Sequence, residues 1–137
     1  MIADTVALYS LTLAFGGMVF FSAVFSPLVF TKLPGDVAGP FIRQVFPWYF
    51  LAVAATLGLA GLAMLARAPG WGALLLAMAA LGVANREVLM PRINALRDRQ
   101  LGGDAAAGRR FGQLHGLSVA INLAQMLAAA AVLTAFL

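Results

Sequence analysis

The chain has 137 residues, 63% of them hydrophobic and only 10% charged, with a formal net charge of +4. A water-soluble domain carries about a quarter charged residues, so the composition excludes a soluble enzyme or scaffold. It predicts a small integral membrane protein with one transmembrane domain over residues 1–137. The absence of cysteine excludes disulfides, thiolate metal sites and thiol catalysis.

Four apolar runs follow one another along the chain, at 5–30, 46–66, 71–90 and 114–137. Each matches or exceeds the roughly 20 residues that a helix needs to cross a bilayer core. Strand-like alternation is missing and alanine, leucine and glycine dominate, which predicts an all-α four-helix bundle made of two helical hairpins. The first run carries Asp4 where a signal peptide has basic residues, and it is too long for a cleavable apolar region. Between the first two runs, "TKLPGDVAGPFIRQVFP" (31–47) has a Pro-Gly turn. An apolar stripe of Val37, Phe41 and Val45 follows, read as an interfacial segment ending where Pro47 opens the second span. Past the third run, Leu89, Ile93 and Leu96 keep helical spacing, so that helix should extend until Gly102-Gly103 stops it. Pro27 and Pro91 fall near the ends of the first and third spans, where they are expected to kink the helices.

Charge fixes the expected orientation. With four spans, both termini and the turn at 67–70 share one side, which holds Arg67 alone. The other eight basic residues (Lys32, Arg43, Arg86, Arg92, Arg97, Arg99, Arg109 and Arg110) lie in or beside the two opposite connections. The positive-inside rule then puts the loops at 31–46 and 86–113 in the cytosol and both termini on the non-cytosolic side. The pI of about 10.8 is thereby accounted for by topology and contact with anionic membrane lipids, without nucleic acid as a partner.

The prolines also suggest a parallel internal repeat. "SPLVFTKL" (26–33) corresponds in placement to "MPRINAL" (90–96), and "AGPFIRQVFP" (38–47) aligns with "AGRRFGQLHG" (107–116). Small residues supply the close packing that lipid-embedded helices require. Ala52, Thr56 and Ala60 form one such face, with Gly58 and Gly61 nearby, and Gly16-Gly17 and 128–131 add others.

The fourth run begins as "GRRFGQLHGLSVAINLAQM" (108–126) and keeps His115, Ser118, Asn122 and Gln125 at spacings of three, four and three. At 100° per residue these side chains fall within an arc of roughly 80° on one helix face. A lipid-facing His, Asn or Gln is costly, so the stripe is expected to face inward. Ser22, Ser26, Arg43, Gln44, Asn85, Arg86 and Glu87 should converge on it at the same end of the bundle. One reading makes this cluster helix-to-helix hydrogen bonding, with Glu87 paired to an arginine and His115 accepting from Asn85 or Arg86. The other makes it a cytosol-facing cavity for a small solute or cation. A haem or quinone site is a third reading, and with one histidine it is limited to one His-ligated haem per chain, through His115.

"FSPLVFTKLP", "AGPFIRQVFPWYF", "NREVLMPRINALR" and "GRRFGQLHGLSVAINL" together resemble the transmembrane protein 205-like family of small four-span proteins. The resemblance runs from Phe21 to Leu123. Its most specific parts are Phe46, Pro47, Tyr49 and Phe50 in the second helix and Leu114 to Ser118 with Asn122 in the fourth. It implies the same four-helix topology and marks the His115–Asn122 face, but it implies no activity.

No Ser-His-Asp set, carboxylate pair, HExxH or phosphate-binding glycine loop occurs, so no catalytic residues and no metal ligands are assigned. The six methionines are scattered and read as packing residues. The sequence therefore favours a non-catalytic protein without a cofactor: an accessory subunit docked to other membrane proteins, or a small homo-oligomer. Solute binding or transport stands second.

Overall fold

The computed structural model describes residues 2–137. They form four long helices: α1 (Ile2–Lys32), α2 (Gly35–Met64), α3 (Pro69–Leu101) and α4 (Ala105–Phe136). All four are long and apolar enough to span a membrane, and no strand occurs among the described residues. The all-α four-helix bundle is therefore as expected. At 1.5 Å per residue, thirty residues reach about 45 Å, so each helix overshoots the roughly 30 Å hydrocarbon core.

Local chemistry sets the ends. Leu33 and Pro34 leave the helical region and close α1, and Pro69 sits in the first turn of α3 where its missing N–H costs nothing. Gly103 has φ +100°, a conformation that favours glycine, and turns the chain after α3. Asp104 then caps α4 by accepting from the Ala107 N–H at 3.0 Å. The Ala107 amide and the Arg99 guanidinium hold the Asp104 carboxyl below the usual carboxylate range.

The helices pack in ring order, each touching its neighbours in the chain and α4 returning to α1. Leu11 and Met18 of α1, Leu57 and Ala60 of α2, Leu75 of α3 and Ala129 and Val132 of α4 are fully buried in the half nearer the termini. Glycine sets the closest approach there. A Cβ on Gly72 would meet the Gly61 carbonyl oxygen at 2.9 Å, and one on Gly61 would meet the Gly72 oxygen at 3.0 Å. Arg67 clasps this end by pairing with Asp4 and stacking 5.6 Å above the Phe136 ring. In the loop half, a second cluster joins Val29, Ala38 and Ile42 to Phe21, Phe25 and Phe46. Arg43 clamps α2 to α3 there with two hydrogen bonds to Asp98 at 2.9 and 3.2 Å.

Two expectations need correction. Residues 31–47 do not form a separate interfacial segment, because α2 runs unbroken from Gly35 with Pro40 and Pro47 inside it. The buried stripe there is Ala38 and Ile42, while Val37 and Phe41 are exposed. A proline inside a membrane helix is tolerated where neighbouring groups satisfy its surroundings, and the Arg86 Nε donates to the Pro47 carbonyl at 3.1 Å. The fourth helix starts at Ala105, well before 114. Near Pro27 and Pro91, where kinks are expected, the helices do depart from regular geometry: each proline follows a π-helical stretch, Phe21–Phe25 and Asn85–Leu89. Widening the turn relieves the clash between the proline ring and the carbonyl four residues back.

These two π stretches stand 64 positions apart, the same offset that relates Pro27 to Pro91. The offset of 69 that aligns 38–47 with 107–116 also pairs Ala60 with Ala129, both completely buried. Both correspondences fit the expected repeat, whose axis, with α1 and α3 running parallel in a ring of four, would lie along the bundle.

Candidate functional site

A cavity of about 280 Å³ opens between all four helices in the loop half. α1 contributes Phe21, Ser22 and Ser26, and α2 contributes Phe46, Tyr49 and Phe50. Met90, Ile93 and Asn94 come from α3, and His115, Ser118, Val119 and Asn122 from α4. The repeat register pairs Ser26 with Met90, Phe46 with His115, Tyr49 with Ser118 and Phe50 with Val119. The cavity thus straddles the axis that relates the two hairpins. Its first-hairpin wall is aromatic and its second-hairpin wall is polar.

The sequence stripe meets the cavity edge-on. On the helical wheel Gln125, Ser118, Asn122 and His115 follow one another around the arc, and burial falls in that order. Gln125 is 0% exposed, Ser118 is 9% exposed, Asn122 is half-buried and His115 is exposed. The expectation that the whole stripe faces inward is therefore right for one edge and wrong for His115, which the arc carries to the cavity mouth. Gln125 points away from the cavity into the α2–α3–α4 packing, where its Nε2 donates to the Met78 carbonyl at 2.8 Å and its Oε1 has no partner.

Asn85 is fully buried and bonds Ser118: the serine Oγ donates to Oδ1 at 2.8 Å, and Nδ2 donates to the Ser118 carbonyl at 3.4 Å. Asn122 accepts from the Tyr49 hydroxyl at 2.5 Å and donates to Ser22 Oγ at 3.3 Å. Arg86 pairs with Glu87, as one reading expected, but the Glu87 side chain is exposed and lies outside the cavity lining. His115 accepts from neither Asn85 nor Arg86, because both are already engaged elsewhere. Its ring instead stacks on Phe111, centroids 5.6 Å apart, and the Arg97 guanidinium lies 5.4 Å from the Phe111 centroid. Gln44 is exposed and not part of the lining. Ser26, Asn94 and His115 line the cavity and make no side-chain hydrogen bond among the described residues, so their polar atoms are available to a ligand.

Asn94 was not singled out from the sequence, because nine residues beyond Asn85 is two and a half turns, which puts it on the opposite face of a regular helix. Ser22 is expected at this end of α1 from the sequence, whereas nothing but the family resemblance marks Tyr49. Its ring stacks on Phe21 with centroids 3.9 Å apart and planes 19° apart, a contact worth about 0.5–1.5 kcal/mol beyond area burial. Phe21 and Tyr49 also line a second, apolar hollow of about 360 Å³ on the outer side of the α1–α2 seam, with Leu13, Gly17, Trp48 and Ala52. Among the described residues no group of three or more His, Asp or Glu side chains is placed to hold a metal.

Fold and site together define a multi-pass membrane protein of four helices with a central cavity lined by both aromatic and polar side chains. Residues 9–101, more than half of the chain, match the family described as a domain of unknown function (DUF4149), and the chain belongs to that family. The match covers α1 to α3, including nine of the thirteen cavity-lining residues, and stops before α4. No curated protein and no solved structure matched the chain.

Proposed function

We propose that this protein binds a small solute within the membrane, in the cavity on the axis between its hairpins. The observation that carries this reading is the lining: three unengaged polar side chains, Ser26 from the first hairpin and Asn94 and His115 from the second, sit beside an aromatic wall. Membrane proteins built from repeats hold their ligands at the repeat interface, commonly where a helix departs from regular geometry. Here both π stretches flank the cavity, and such stretches recur at functional sites. The proposed orientation is the one read from charge, with the loop end and its eight basic residues in the cytosol. The sequence resemblance to the transmembrane protein 205-like family belongs with this proposal, since the family match over 9–101 leaves α4 outside it.

Docking to other membrane subunits, or self-association, is the second reading. One observation favours it: Gly112, Gly116, Ala120 and Ala124 form an exposed ridge along α4, and nothing lies within 4 Å of a Cβ built on either glycine. Native mass spectrometry of particles extracted with their lipids tests the two. The binding reading expects a small-molecule adduct on a small particle, lost when Ser26→Phe fills the cavity. A large defined assembly with no adduct would overturn it in favour of docking.

A further inference from the structure

The central cavity and the outer hollow are separated by one aromatic pair. Phe21 and Tyr49 line both spaces, and their stacked rings fill the α1–α2 seam between them. The equivalent seam between α3 and α4 is closed differently, by the buried Asn85–Ser118 hydrogen bonds. The α3–α4 wall is therefore closed by hydrogen bonds, and the α1–α2 wall by two stacked rings, of which Tyr49 would have to release its hydrogen bond to Asn122 to turn aside. The rings also sit where the chain is least regular, since Phe21 begins the π stretch of α1.

We infer that the α1–α2 seam is a lateral portal to the bilayer, and that its ligand is a long-chain carboxylate. The inference rests on the solute-binding reading and names its ligand class. The carboxylate would lie in the central cavity against Ser26, Asn94 and His115, and the hydrocarbon chain would leave between Phe21 and Tyr49 into the outer hollow. The donors point to an acid: Ser26, Asn94 and His115 can each donate to a carboxylate, no Asp or Glu lines the cavity to repel it, and Arg97, itself outside the lining, approaches the mouth through the stack Arg97–Phe111–His115. The outer hollow points to a chain, because its lining is apolar apart from Tyr49 and Thr56 and widens at Gly17, whose missing side chain leaves open space.

The test uses the full chain in phosphatidylcholine nanodiscs and a palmitic acid analogue carrying a mid-chain diazirine. After illumination, adducts are mapped by peptide mass spectrometry. Adducts are expected on Leu13–Phe21 and Trp48–Thr56, competed by oleic acid and at least about tenfold less by monoolein. Gly17→Leu, which fills the hollow without meeting other atoms at its Cβ, should cut this labelling about tenfold. Ser26→Phe should cut it as well, by displacing the head group. Labelling confined to cavity residues and unmoved by Gly17→Leu would overturn the portal and leave the cavity reading standing. Equal competition by monoolein would overturn the carboxylate. Adducts spread evenly over the lipid-facing sides of all four helices, unmoved by Ser26→Phe, would overturn both the portal and the cavity as a site for this acid.

Discussion

Asn85 and Ser118 share two hydrogen bonds across the α3–α4 seam, at the place in the second hairpin where Phe21 and Tyr49 stack in the first. The repeat register makes the two pairs counterparts, 64 positions apart on one helix and 69 on the other. One fold position has thus been filled by a polar clasp in one half and an aromatic one in the other. That asymmetry gives the central cavity its polar wall and its aromatic wall.

Removing one member of the polar clasp leaves the other buried without a partner. Asn85→Ala and Ser118→Ala should each lower stability by about 1–3 kcal/mol, at the lower end if lipid-embedded hydrogen bonds average about 0.6 kcal/mol. The double variant should lose less than the sum. Reversible unfolding in mixed detergent micelles, taken as a double-mutant cycle, measures the coupling; strict additivity would show that the pair does not act together.

Gln125 presents the opposite case. Its Oε1 is buried with no partner while Nε2 holds the Met78 carbonyl. Gln125→Met keeps the length and removes the orphan oxygen, so stability should stay within about 1 kcal/mol of the parent. A loss beyond about 2 kcal/mol in the same unfolding assay would mean that the amide contributes more than its one bond.

The α2–α3 crossing depends on two glycines. A Cβ at Gly72 would press on the Gly61 backbone at 2.9 Å, whereas one at Gly58 would sit at an ordinary 3.7 Å from Ala79. Gly72→Ala should therefore cost about 1–3 kcal/mol and Gly58→Ala less than about 0.5 kcal/mol. Equal effects at the two positions would contradict the crossing described.

Asp104 links the α4 cap to pH. Its folded carboxyl titrates below the usual carboxylate range, chiefly because the Ala107 amide bonds the charged form. A group with a depressed folded value adds stability above its unfolded value, and this is lost as pH falls through the folded one. Protection of the amides at 105–111 from hydrogen exchange, relative to the intrinsic rate at each pH, should fall on acidification below the ordinary carboxylate range. Asp104→Asn, which caps without titrating, should flatten that pH response.

Much of this was legible in the sequence because lipid imposes simple rules. Length and hydropathy located four spans, and the polar stripe on α4 led to the cavity. What failed did so for local reasons. Pro47 reads as a helix start, yet bonding around its carbonyl let α2 continue through it. Periodicity grouped four side chains on one face without saying where in the arc the bundle centre lies, so His115 was placed too deep. The apolar hollow and the Phe21–Tyr49 pair could not be seen at all, since a phenylalanine-rich run looks the same facing lipid or lining a portal.

The central claim is that Ser26 and Asn94 face a ligand-accessible cavity reached from the loop end. The chain has no cysteine, so Ser26→Cys and Asn94→Cys each give a unique label site in an otherwise unlabelled protein. The measurement is the rate of modification by a membrane-impermeant maleimide in oriented vesicles. The account predicts labelling of both variants from the cytosolic face only, slowed by oleic acid, with Gln125→Cys protected throughout. Equal protection of all three, or labelling that oleic acid leaves unchanged, would contradict it.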